Sequence, residues 1–113
     1  MSVNWIKDAD EALGQAKEQN KPLLIDFGAE WCVFCRKMDQ TTFIEPDVVA
    51  RLNSDFIPVK LDASSKAAKS LAGKFSIQGL PTILVLDKDG NLKRKITGFV
   101  SPDRFLKLLA AIN

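Results

Sequence analysis

The apolar positions of this chain fall into two spacings, one helical and one of nearly unbroken runs. Ala9, Ala12, Leu13 and Ala16 recur at helical spacing behind two capping candidates, Asp8 and Asp10. Asn20-Lys21-Pro22 ends that helix. Ahead of it, Trp5-Ile6 reads as a short strand or a packing anchor. Leu23-Leu24-Ile25-Asp26-Phe27 is almost continuously apolar, the mark of a strand covered on both faces. Gly28-Ala29-Glu30 breaks it. The pattern returns to helical from Cys32 to about Gln40, and again from Pro46, a favoured first helical position, to about Asn53.

Phe56 to Asp62 is the next strand, with Pro58 placed near its start or at a bulge because proline donates nothing to a ladder. Ala67 to Phe75 is helical. Thr82 to Leu86 and Leu92 to Thr97 are strands joined by Asp87-Lys88-Asp89-Gly90, a hairpin turn. Ser101 caps and Pro102 opens a last helix whose apolar residues are Phe105, Leu106, Leu108, Leu109 and Ile112. The first two strands, joined through helix, are expected to run parallel, and the hairpin pair antiparallel. The expectation is an α/β fold, a central mixed sheet with helices on both faces.

Length, 113 residues, fits one domain, expected to span 1–113, with enough apolar content to form a core without covalent staples. The two cysteines are therefore free for chemistry. The net charge of +2 gives no reason to invoke nucleic acid or an anionic membrane surface. Histidine is absent, which excludes Cys–His nucleophile pairs, Ser–His–Asp triads and imidazole metal ligands. No apolar run approaches the ~20 residues of a membrane helix, and residues 1–21 lack a secretory core. As written, the chain is expected to be cytoplasmic, or periplasmic if an export signal has been removed.

The chemical centre is Cys32-Val33-Phe34-Cys35, directly after a buried strand and at the start of a helix. Unpaired backbone N–H groups there favour negative charge, so a thiolate is stabilised and its pKa falls. Residues three apart share a helical face, within reach of a disulfide. Cys32, in the first turn and more exposed, is expected to attack a substrate disulfide. Cys35, turned toward the core, then displaces the substrate from Cys32. Two other readings of the pair stand beside this one: ordinary buried small side chains, or half of a metal site completed across a dimer.

Asp26 lies inside an apolar strand, where lost hydration raises a carboxyl pKa. Such an acid beside Cys35 is placed to exchange a proton with the second thiol. The plainer alternative puts Asp26 at the strand end, bonded to backbone. Trp31 is expected to pack and Phe34 to be exposed beside Cys32. Phe27 and Phe99 are read as core, and Lys93-Arg94-Lys95 as charge that protects a strand edge.

Leu24-Ile25-Asp26-Phe27-Gly28-Ala29-Glu30-Trp31-Cys32 closely resembles the active-site approach of the thioredoxin family. Gly79-Leu80-Pro81-Thr82 resembles the family's Gly-x-Pro-Thr loop, and Gly98 the glycine after its last strand. The stretch from Thr42-Phe43 through Pro46-Asp47 to Val59-Lys60-Leu61-Asp62 is similar to the C-terminal thioredoxin-like domain of the bacterial membrane reductase DsbD. Departures are Val33-Phe34, where thioredoxins have Gly-Pro, and Gly28, where they carry a bulky residue. The resemblance implies a thioredoxin fold. It implies proton exchange for Asp26, with Lys60 tuning it, although an exposed strand lysine is equally consistent with position 60. It also implies a cis peptide before Pro81 and a substrate strand against the backbone of Leu80. Trp31 and Phe34, if exposed, would form an apolar docking surface around Cys32, and Val33 and Pro81 are counted with them as substrate-binding candidates.

The expected function is thiol–disulfide exchange with protein substrates, in the reductase direction because no imidazole is present to stabilise the Cys32 thiolate strongly. No organic cofactor and no metal are expected. Re-reduction would come from a thioredoxin reductase or a membrane thiol relay, and the protein would act as a monomer. Two other classes are a thioredoxin-fold binding or chaperone module, and a thiol metal carrier.

Overall fold

A computed structural model describes residues 1–112. Helix α1 (Ala9–Gln19) starts at Asp8, whose carboxylate accepts from the N–H groups of Asp10 and Glu11. It ends at Asn20, which takes the left-handed conformation (φ 55°) that terminates helices. Strand β1 (Leu23–Gly28) follows, then α2 (Val33–Gln40), a 3₁₀ turn at Thr42–Ile44, and α3 (Pro46–Asp55). Strand β2 (Ile57–Asp62), α4 (Lys66–Lys74), the hairpin β3 (Thr82–Leu86) and β4 (Leu92–Thr97), and α5 (Pro102–Ala110) complete the chain. Boundaries differ from the sequence expectation by a residue at α4. Phe56 caps α3 and does not begin β2.

The strand order is β2-β1-β3-β4. β1 pairs parallel with β2 and antiparallel with β3, and β3 pairs antiparallel with β4. Beyond β2, Ile6 adds a parallel bridge to Val59: its N–H donates to the carbonyl of Pro58 and its carbonyl accepts from Lys60 N–H. Pro58, second in β2, thus turns outward the position where its N–H is missing.

Strict alternation along β1 sends Leu23, Ile25 and Phe27 to one face and Leu24 and Asp26 to the other. The first set packs with Ala12, Ala16 and Ala68 of α1 and α4. The second face is covered by Met38, Val49, Leu52, Phe105 and Leu109 of α2, α3 and α5. Asp26 is therefore the one charged residue that β1 sends into the layer beneath α2. Phe105 is fully buried and meets Phe43 edge-on at 5.7 Å. Phe105→Ala is expected to cost about 3–5 kcal/mol in urea unfolding; a loss under ~1 kcal/mol would show that the site collapses freely. Among the described residues, no helix is long and apolar enough to cross a membrane.

Candidate active site

Cys32 is not in the first turn of α2, as its sequence position suggested, but is its N-cap. The backbone is extended there (φ −85°, ψ 111°), and Sγ accepts the N–H of Cys35 at 3.2 Å. A sulfur takes the place of the usual serine or aspartate oxygen. No acidic residue stands in the first turn, so no carboxylate opposes a thiolate at the positive end of the helix. Cys32 and Cys35 are joined as a disulfide, with Cα atoms 5.2 Å apart.

Depth distinguishes the two sulfurs less than their surroundings do. Cys32 is 8% and Cys35 6% exposed. Cys32 borders an apolar groove of about 350 Å³, with Phe27, Trp31, Ala63, Ala72 and Leu80 along it. Cys35 instead borders a cavity of about 630 Å³ lined by charged side chains, which it shares with Asp26, Asp39 and Lys60. Gly28 forms part of the wall: a β-carbon there would lie 3.5 Å from Cys35 Sγ.

Trp31, expected to pack, is 78% exposed. It stands in the turn between β1 and the helix cap, which offers no covered face to receive it. Phe34 is exposed as expected, at 56%, and Val33 is exposed beside it. The three make an apolar rim around Cys32. On the far side of the groove, the Leu80-Pro81 peptide is cis. Gly98, at φ 94°, donates its N–H to the Pro81 carbonyl at 2.8 Å, a backbone turn that disfavours side chains with a β-carbon.

Asp26 is buried, and its register partner on β2 is Lys60. Lys60 Nζ donates to Asp26 Oδ2 at 2.9 Å and to Asp39 Oδ1 at 2.6 Å. Burial pushes the Asp26 carboxyl above its ordinary value; the Lys60 charge and hydrogen bond pull it back only in part, and the Asp39 charge adds to the rise. Burial alone would draw Lys60 down, but Asp26 and Asp39 together outweigh it and hold its pKa up. The lysine is thus a fixed cation between two carboxylates.

Asp39 is absent from the residues the sequence singled out. The signal was present: it lies four residues after Cys35, on the same helical face. Of the expected site residues, the structure gathers Cys32, Trp31 and Leu80 around the groove, with Val33 and Phe34 on its rim and Pro81 beside it. It gathers Cys35, Asp26 and Lys60 around the cavity.

Known proteins resemble this chain in sequence and fold. The chain is 35% identical over 106 residues to the thiol:disulfide interchange protein DsbD of Cronobacter sakazakii, covering 91% of this chain and 18% of that protein. It spans about a fifth of the length of the DsbD relatives it matches. A thioredoxin from Thermus thermophilus superposes with a TM-score of 0.86 at 25% identity, over 97% of this chain and 86% of that one. The oxidised C-terminal domain of DsbD from Neisseria meningitidis superposes with a TM-score of 0.78 at 24% identity, over 96% and 99%. Residues 9–113 match the family described as thioredoxin-like domain, and the chain belongs to that family.

Proposed function

We propose that this thiol–disulfide oxidoreductase runs as a reductase, passing two electrons from the Cys32/Cys35 dithiol to disulfides of protein substrates. The observation that carries the reading is the seat of Cys32 Sγ, on the N–H of Cys35 and open to an apolar groove. In the reduced protein the Cys32 thiolate attacks one sulfur of the substrate disulfide. That bond breaks, a mixed disulfide forms, and the first substrate sulfur leaves and takes a proton. Cys35 then gives its proton to the Asp26 carboxylate and attacks Cys32 Sγ. The second substrate sulfur leaves as a thiolate and takes a proton from water, the Cys32–Cys35 disulfide closes, and Asp26 gives the Cys35 proton back to solvent. Lys60 steadies the Asp26 charge. Trp31, Val33 and Phe34 hold apolar substrate residues, and the backbone at Leu80-Pro81 receives an extended segment. No organic cofactor enters this sequence.

The cycle needs an electron source. Similarity to a thiol:disulfide interchange protein supports a membrane thiol relay as that source and, with it, an exported location for the chain. A thioredoxin reductase is the cytoplasmic counterpart.

Equilibration with glutathione buffers tests the direction. The expected potential lies below about −220 mV, among the reductants. A value near about −120 mV would make the protein an oxidant and overturn the reading.

A further inference from the structure

We infer that Trp5, on the N-terminal segment, is a positioning residue for the second chemical step: with Phe43 it cages the Lys60 ammonium so that this cation stays against Asp26. The inference rests on the function proposed above and adds residues that the cysteine chemistry alone does not call for.

Lys60 lies on the outermost named strand, where a lysine is ordinarily free to swing into water. Here Nζ sits 5.0 Å from the Trp5 ring centroid and 5.8 Å from that of Phe43. The two rings meet edge-on at 5.0 Å, so each fixes the other. Aromatic faces attract an ammonium and lower its tendency to leave. Trp5 is itself held by the backbone on either side. Ile6 bonds Pro58 and Lys60, both at 2.9 Å, while Asn4 N–H donates to Asn53 Oδ1 at 2.8 Å, and Asn53 Nδ2 to the Ser2 carbonyl at 3.0 Å. The segment therefore grips the main chain of the same residue whose side chain its tryptophan covers.

Lys60 divides its charge between Asp26 and Asp39. The caged cation favours the ionised form of Asp26, the form that accepts the Cys35 proton. The titratable and charged groups lining the cavity besides Asp26 and Lys60 are Lys7 beside the segment, Glu30 in the turn, Arg36, Asp39 and Cys35 of α2, and Asp62 at the end of β2. None of these is altered by changing Trp5. Loosening the cage removes positive charge from Asp26, which then keeps its proton to higher pH. Removing Asp39 acts in the opposite sense: it deletes a negative charge and leaves Lys60 to Asp26 alone.

The test uses the reduced full chain and 5,5′-dithiobis(2-nitrobenzoate) in stopped flow. The first released chromophore reports attack by Cys32, the second the step by Cys35. In Trp5→Leu, which keeps apolar bulk without a π face, the pH midpoint of the second phase is expected to move up. Its rate at pH 7 should fall roughly two- to fivefold. Trp5→Phe should stay near the native profile, and Asp39→Asn should move the midpoint down. A Trp5→Leu midpoint that is unmoved, or that moves down, overturns the inference, whatever that variant's melting temperature. Should Trp5→Leu not fold, fluorinated tryptophan in a Trp31→Phe background weakens the ring face without changing its shape. The midpoint then rises with fluorine content, or the inference fails. Absence of both phases in the native protein would instead defeat the reading of the cysteine pair.

Discussion

Cys32→Ser is expected to abolish dithiothreitol-driven insulin reduction, a loss on the order of a thousandfold or more, because the attacking sulfur is gone. Cys35→Ala should behave differently. The first attack proceeds, and the substrate then remains bound through Cys32. In the native protein the displacing sulfur stands three residues away, in the first turn of the helix that Cys32 caps, and well-oriented intramolecular groups act at effective concentrations of about 10⁵ M or more. Millimolar external thiol does not replace that. Non-reducing electrophoresis and mass spectrometry should therefore show Cys35→Ala accumulating adducts through Cys32. Native-like turnover by Cys32→Ser, or a Cys35→Ala protein that captures no disulfide substrate, would remove the mechanism.

Asp26→Asn is expected to make the protein more stable and slower. The Asp26 carboxyl binds its proton more tightly in the folded chain than in the unfolded one, where its value is near 3.8. The stability this gives is whole below that value and is lost as pH rises through the higher folded value. Above it, the folded protein carries a buried carboxylate whose lost hydration Lys60 only partly offsets. Asparagine carries no such charge. At pH 8 the variant should gain about 1–3 kcal/mol in urea unfolding of the oxidised form, shrinking toward zero near pH 4. The second phase of the dithiobis(nitrobenzoate) reaction should slow on the order of a hundredfold, the ordinary contribution of a placed base. Parallel stability curves for the two proteins between pH 4 and 9 would show that burial does not govern this carboxyl.

Much of this was legible before any coordinates. Ser101-Pro102, Asp8 and Asn20 announce helix ends through local chemistry, and a buried strand followed by Cys32-Val33-Phe34-Cys35 announces a reactive pair. These signals act within a few residues. What escaped depended on the third dimension. Trp31, expected to pack, stands in a turn that has no covered side to give it, and is exposed. Asp39 and Trp5 matter through Lys60, which is 21 residues from Asp39 and far from Trp5 along the chain. No periodicity encodes that meeting. Even the place of Cys32 depended on one residue of helix boundary, and that residue decides whether its sulfur accepts a backbone N–H.

Both lateral margins of the sheet are guarded. Beyond β2, Ile6 already occupies the outward carbonyl of Pro58 and the N–H of Lys60, while the opposite margin, β4, bears the exposed Lys93, Arg94 and Lys95, the last bonded to the carbonyls of Phe75 and Ser76. An unfolded polypeptide finds little bare strand to zip onto at either side. In the function proposed above, the place left for an extended segment is the bend before Pro81, across the groove from Cys32. A fold closed in this way offers few free main-chain groups through which a second polypeptide could recruit it into an aggregate.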